Sequence, residues 1–287
     1  MRARAFAKVN LSLEIGEIEG GLHSLRGIYQ SISWHDEVAL GFTGEDRFEV
    51  PDGGAPSGTD NLAWRALVMV REKAGSARPV GLELRKRIPM QAGLGGGSAD
   101  AAAVVGIGCR AFGLDPEVLR PMLSRLGSDV PFSVVGGTAL VHGTGEIVEP
   151  VPPVRDFALA IVVPPVELST EDVFRRWDHL GGPLGPAVAT SSLPPSLRGF
   201  APLRNDLYPA AVSLSYFIED WRSELAHRWG VPVAMTGSGS ALYGFFGSVD
   251  EASDAVGIAP SGARAVAAAE PVDVGWERVQ LRGDGAG

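Results

Sequence analysis

The chain of 287 residues holds one cysteine, Cys109, so no internal disulfide is available to it. Its place inside an apolar run suits packing rather than redox chemistry. No stretch of about 18 uninterrupted apolar residues occurs, which argues against a membrane-spanning helix. Basic residues are few beside acidic ones, 25 against 34, for a net charge of −9. A nucleic-acid binder needs a basic face, so nucleic acid is excluded as the main partner. The five histidines, His23, His35, His142, His179 and His227, show no metal-ligand spacing. The N-terminus, Met1-Arg2-Ala3-Arg4, reaches Lys8 and Asn10 too soon to leave room for the apolar core of a signal peptide. The expectation is a cytoplasmic protein, monomeric or homodimeric, long enough for two modest domains or one large one.

What the chain has in quantity is glycine, and its densest stretch is Pro89-Met90-Gln91-Ala92-Gly93-Leu94-Gly95-Gly96-Gly97-Ser98-Ala99, which leads into an alanine-rich apolar run. The first N–H groups of a helix have no intrahelical partner, and the helix dipole places positive potential there. Glycines remove the side chains that would hold a phosphate away, so the expected ligand is a nucleotide phosphate. The spacing is neither that of a Walker A loop, because Gly97 is followed by Ser98 with no lysine, nor that of a dinucleotide fingerprint. A glycine-rich linker is the plain alternative, but linkers do not run into Ala101-Ala102-Ala103-Val104-Val105.

Periodicity predicts a mixed α and β chain. Ala5–Glu14 alternates cleanly, with Ala5, Ala7, Val9, Leu11 and Leu13 on a buried face and Lys8, Asn10 and Ser12 emerging together on the other. Further strands are expected at Glu37–Phe42, Val80–Arg85, Phe157–Val163, Val233–Met235, Leu242–Phe246 and Trp276–Leu281, with a hairpin of Thr138–His142 and Glu146–Pro150. Helices are expected over Asn61–Lys73, Ala99–Phe112, Asp115 to Gly127, Ser169 or Thr170 to Leu180, Ser213–Trp229 and Asp250–Val256. Gly181–Pro202, rich in proline, glycine and serine, reads as a mobile loop. The composition change at Pro150–Pro153 divides the chain into residues 1–152 and 153–282, with 283–287 as a disordered tail.

The glycine stretch resembles the second motif of the GHMP small-molecule kinases. Ala7-Lys8-Val9-Asn10-Leu11-Ser12-Leu13 resembles their first motif, and Thr236-Gly237-Ser238-Gly239-Ser240-Ala241 their third. The likeness runs from about Arg4 to Phe246. It implies an α+β, two-domain GHMP kinase fold: a ribosomal protein S5 domain 2-like N-terminal domain with a left-handed βαβ crossover, and a ferredoxin-like C-terminal domain. It also implies ATP as phosphoryl donor with Mg²⁺. Ala7–Leu11, the downstream Gly21-Leu22-His23, and Gly127-Ser128-Asp129-Val130-Pro131-Phe132 point to the branch whose acceptor is a cytidine diphosphate sugar alcohol. Another small alcohol as acceptor, or a non-catalytic nucleotide-binding relative, are the other readings.

On residue type alone Asp129 reads as an Asx-turn or cap aspartate; the resemblance makes it the branch's catalytic aspartate, with Lys8 as its cationic partner. Such a pair would assist deprotonation of an attacking hydroxyl and steady negative charge. Ser98 would meet the phosphates or Mg²⁺, a role compatible with capping the following helix. Asn10 is either a substrate contact or a structural hydrogen bond, and Gly237, Ser238 and Gly239 shape the acceptor site or simply turn a hairpin. His23 matches the branch's cytosine-reading histidine. The family's Asp-Gly-Tyr-His is here Gly20-Gly21-Leu22-His23, so Leu22 offers apolar cover but no aromatic face to a base.

Overall fold

A computed structural model describes residues 1–280. The expected end of the last strand at Leu281 and the tail 283–287 lie outside the described residues. The first half of the chain runs β1 (Arg2–Asn10), β2 (Glu14–Glu19), β3 (Leu22–Phe42), β4 (Arg47–Glu49), α1 (Leu62–Lys73), β5 (Val80–Arg85), α2 (Gly96–Phe112), α3 (Val130–Val135), β6 (Thr138–Gly143) and β7 (Ile147–Pro150). The second half runs β8 (Ala158–Val163), α4 (Thr170–His179), β9 (Ala187–Val188), β10 (Leu203–Arg204), α5 (Tyr208–Leu214), α6 (Phe217–Trp229), β11 (Val233–Met235), β12 (Leu242–Phe246), α7 (Val249–Gly257), β13 (Ala265–Ala269) and β14 (Trp276–Val279).

Two larger sheets result. The first has the order β14-β1-β3-β5-β4, with β2 and β6 also paired to β3 and β7 paired to β6. The second has the order β11-β12-β8-β13. β14 lies beyond residue 153 in sequence, yet it pairs antiparallel with β1 from Arg2↔Val279 to Ala5↔Trp276.

Side-chain alternation explains how the sheets stack. β8 is buried on both faces: Ala158, Ala160 and Val162 pack with Val173, Leu207 and Leu225 of the helical side, while Leu159, Ile161 and Val163 pack with Ala7, Val9 and Ile32 of the first sheet. On the far side of the first sheet, Ala3, Ala5, Val38 and Leu84 meet Ala66, Leu67 and Val70 of α1 and Val104 and Ile107 of α2. The order is helices, sheet, sheet, helices. Each Leu, Ile or Val withdrawn from water in these layers contributes about 1.5–3 kcal/mol.

Several expectations are corrected by this stacking. The expected one-sided strand at Ala5–Glu14 ends at Asn10, and both of its faces are covered: Lys8 is 4% exposed, Asn10 1% and Ser12 6%. A register shift between Phe6 and Lys8 accompanies the change of core, from the α1/α2 side at Ala5 to the second sheet at Ala7. β3 runs 21 residues, far longer than the expected Glu37–Phe42. The segment after Asp115 forms two short 3-10 turns, Pro116–Val118 and Arg120–Arg125, because Pro121 would fall inside a continuous helix, where it has no N–H to donate. Ser213–Trp229 is split into α5 and α6 at Ser215. The segment 181–202, expected as a loop, contains β9 and two 3-10 turns, with Leu193 and Leu197 buried.

Gly106 shows how closely α2 approaches β14. A Cβ there would lie 2.0 Å from Cζ2 and 2.3 Å from Cη2 of Trp276. Gly→Ala inside a helix ordinarily gains about 0.5–1 kcal/mol. Here the indole must move, and overpacking of this kind costs about 1–3 kcal/mol. Gly106→Ala is therefore expected to lower unfolding free energy in urea titration; a gain in stability would contradict this packing of β14 on α2.

Candidate active site

The glycine loop lies between the sheets, with Ile88, Ala92 and Leu94 buried against Ala7, Leu159 and Tyr243. Five of its backbone carbonyls are tethered to the protein. Met90 O accepts from Arg264 Nη2 at 2.9 Å and Ala92 O from Ala241 N at 3.0 Å. Gly93 O accepts from Thr236 Oγ1 at 3.2 Å, Leu94 O from Lys8 N at 2.9 Å and Gly95 O from Ala99 N at 2.9 Å. By contrast, no backbone N–H from Gln91 to Ser98 finds a protein partner among the described residues. Gln91 and Gly97 are exposed, but the other six residues of this run are buried or half-buried, where amides are seldom left unpaired. An anion at the N-terminus of the 17-residue α2 would satisfy them.

Glycine is needed at two points of this loop. Gly93 has φ +75°, and a Cβ there would stand 2.2 Å from Thr236 O. Gly95, at φ +67°, is the N-cap of α2, where a Cβ would stand 2.8 Å from Lys8 Cγ. Ser98 is therefore the third residue of the helix rather than its cap, and its hydroxyl has no hydrogen-bond partner among the described residues.

Opposite the loop, β1 presents Lys8 and Asn10. Lys8 Nζ lies 3.2 Å from Asp129 Oδ2, donates to Asn10 Oδ1 at 2.6 Å and sits 5.2 Å from the centre of the Tyr29 ring. Asp129 is the N-cap of α3 but makes no side-chain capping bond, which leaves its carboxylate for Lys8 and the cleft. The Asx-turn role is not the one it plays. Burial, with the Asp129 charge adding to it, holds the Tyr29 phenol neutral and well above its ordinary pKa. Asn10 N donates to Thr236 Oγ1 at 2.8 Å, so β1 is joined to the third glycine segment. Asn10 Nδ2 is buried with no hydrogen-bond partner among the described residues.

A cleft of about 560 Å³ brings Lys8, Asn10, Tyr29, Asp129, the loop from Pro89 to Ser98, Gly237 and Ser238 together. Three expected site residues do not line it. Ala99 is enclosed in α2. Gly239 packs against Met235, whose Sδ would stand 2.9 Å from a Cβ. His23 has both ring nitrogens engaged, Nδ1 with Gly16 O at 3.0 Å and Nε2 with Asp178 Oδ1 at 3.1 Å. Its ring is stacked on Phe174, centroids 5.5 Å apart, and it is Phe174 that faces the cleft.

Phe174 and Thr170 were not foreseen as site residues, although their spacing of four puts them on one face of α4. Thr170 Oγ1 is 2.9 Å from Ser238 Oγ. Lys86, Asp36 and Asp100 also escape a reading of the sequence alone. Lys86 Nζ donates to Asp100 Oδ2 at 2.7 Å and to Asp36, which also accepts from the Ile88 amide at 2.8 Å. Burial pushes the Asp100 carboxyl up to about 8, against the opposing pull of Lys86. The usable signal was a charged residue, Asp100, inside an apolar helical run.

Residues 61–137 match the family of GHMP kinases N terminal domain. The chain is 35% identical over 277 residues to a 4-diphosphocytidyl-2-C-methyl-D-erythritol kinase of Heliobacterium modesticaldum, covering 86% of this chain and 87% of the relative. It is 37% identical over 252 residues to the protein of the same name from Moorella thermoacetica, covering 84% and 88%. A crystal structure of 4-(cytidine 5'-diphospho)-2C-methyl-D-erythritol kinase superposes with a TM-score of 0.78 at 30% identity, over 94% of this chain and 99% of the other. Homoserine kinase from Cytophaga hutchinsonii shares the fold at 19% identity and a TM-score of 0.71, over 96% of each chain.

The loop geometry separates two neighbouring glycines. At Gly97 the backbone is helical and a Cβ would meet only Leu62 Cδ1 at 3.5 Å. Gly97→Ala is expected to unfold at or above the wild-type urea midpoint. Gly93→Ala combines positive φ with a backbone clash and is expected to lose about 1–3 kcal/mol or more. Equal midpoints for the two variants would contradict the described loop conformation.

Proposed function

The chain belongs to the 4-diphosphocytidyl-2-C-methyl-D-erythritol kinases, ATP-dependent small-molecule kinases of the GHMP fold, and we propose that it transfers the γ-phosphoryl group of ATP to the 2-hydroxyl of 4-diphosphocytidyl-2-C-methyl-D-erythritol, a step toward isoprenoid precursors. The observation that carries the site assignment is the Lys8–Asp129 pair, 3.2 Å apart, in the same cleft as the unpartnered amides of the glycine loop. Phosphoryl transfer rests mainly on positioning and on stabilising charge at the moving group and the attacking oxygen. In this reading the amides from Gly93 to Ser98 receive the phosphates. Asp129 accepts the proton of the acceptor hydroxyl as the hydroxyl oxygen bonds to the γ-phosphorus, whose bond to the β–γ bridging oxygen breaks so that ADP leaves. Lys8 holds that carboxylate in position and balances charge on the transferring group. The free Asn10 Nδ2 is a donor for an acceptor or phosphate oxygen.

Mg²⁺ belongs to this proposal. Among the described residues no three of His, Cys, Asp and Glu come together to hold a metal ion. That donor set suits a magnesium ion held mostly by nucleotide phosphates and waters, with one or two protein oxygens. The unpartnered Ser98 hydroxyl is the protein oxygen proposed, and when bound the ion would neutralise phosphate charge.

For the acceptor, the Phe174 ring is the proposed surface for the cytosine, because it lines the cleft while Leu22 is 57% exposed. His23 stands behind Phe174, and reading a base edge would require it to exchange Gly16 O or Asp178 for the base. No helix among the described residues is long and apolar enough to cross a membrane. Both proposed substrates are polyanions confined to water, and we assign the reaction to the cytoplasm, in a monomer or homodimer.

Two outcomes test the proposal. Asp129→Asn should lower kcat by about 10²-fold or more while ATP binding, measured by calorimetry, is nearly kept. Near wild-type turnover would remove Asp129 from the chemistry. The cytidine diphosphate alcohol should be phosphorylated and its uridine counterpart poorly so, since a uracil edge reverses donor and acceptor positions. Equal rates on both, or activity only on an unrelated alcohol, would overturn the acceptor assignment.

A further inference from the structure

Arg264 precedes β13 in the second sheet and does not line the cleft, yet its guanidinium reaches the glycine loop. Nη2 donates to Met90 O at 2.9 Å, and Nη1 donates to Val166 O at 3.3 Å. Glu167 Oε1 lies 3.1 Å from Nη2 and holds the group from behind. Val166 O is shared, because it also accepts from Ser240 Oγ at 2.6 Å, and Ser240 follows Gly237-Ser238-Gly239 of the opposite glycine segment. One planar cation therefore ties the shoulder of the phosphate loop to the segment that forms the other side of the cleft.

The next residue gives this tie its consequence. Gln91, at φ +51°, is the non-glycine residue of the described chain with positive φ, a conformation that a side chain resists and that surrounding contacts must impose. Holding Met90 O outward fixes the peptide that carries the Gln91 N–H, the first of the unpartnered amides. A guanidinium suits the task because its rigid fork spans two carbonyls, whereas an ammonium is a single point donor.

We infer that Arg264 is a positioning residue of the nucleotide site, setting the Met90–Gln91 shoulder and its register with the Val166–Ser240 segment. The inference rests on the kinase reading above, with ATP as the ligand of the loop. Its test is ATP binding by calorimetry and steady-state KM for each substrate, in wild type, Arg264→Met and Arg264→Lys. Arg264→Met keeps the alkyl stem and removes the donors. It should weaken ATP binding and raise KM for ATP by about tenfold, the effect of losing a charge-assisted hydrogen bond, with the acceptor KM within about twofold of wild type. Arg264→Lys should recover part of the loss. Unchanged ATP affinity in Arg264→Met overturns the inference. A fall in melting temperature with both KM values rising together, unrescued by lysine, also overturns it, since that is general destabilisation. If wild type binds no ATP, the kinase reading itself falls and this inference with it; wild-type binding that Arg264→Met leaves untouched removes this inference alone.

Discussion

The architecture depends on the tethering of the glycine-loop carbonyls away from the cleft. A backbone turn this compact exposes both donors and acceptors, and a site that attracts anions must hide the acceptors. Here the donors that hide them come from β1, from the third glycine segment, from α2 itself and from Arg264. Elements distant in sequence must therefore arrive together before the amides face the cleft. That requirement accounts for the burial of β1 on both faces and for the place of Thr236 Oγ1, which accepts from Asn10 N of β1 and donates to Gly93 O of the loop.

The charges follow the same economy. Lys8 and Asp129 neutralise each other at the cleft, where a lone lysine or lone carboxylate would be costly to keep buried. Behind the loop, Lys86 is shared by Asp36 and Asp100, and Asp36 takes two backbone amides as well. Asp36 is the better-satisfied carboxylate. Asp100 has Oδ1 unpartnered among the described residues, and burial raises its proton affinity. Buried polar groups at this density tie the strand end, the loop and α2 into one unit.

Local chemistry made some of this legible and left the rest hidden. The capping of α1 by Asn61 and of α4 by Ser169, and the bounds of β5, β11 and β12, follow from short-range signals and appear where the residues put them. The glycine loop announced itself because its spacing has no ordinary structural use. The long β3 was missed because His23, Ser24 and Arg26 break its alternation, and its pairing with four other strands compensates for that. β13, the alanine-rich Ala265–Ala269, has little strand propensity of its own and is held by pairing with β8. Lys8 and Asn10 were read on a polar strand face; that this face is buried depends on residues more than 200 positions away. Phe174 was out of reach for the same reason, since nothing near it in sequence marks it as facing a cleft.

The central claim is that the amides of the glycine loop, freed by the tethering of its carbonyls, receive the nucleotide phosphates. Titration of the isotopically labelled protein with ATP, followed by backbone amide NMR, tests it directly. The account predicts the largest shifts, with increased protection from exchange, at the amides of Gly93 to Ser98, with those of α3 and β1 next. Saturable ATP binding that leaves the Gly93–Ser98 amides unmoved while another part of the molecule responds would contradict it.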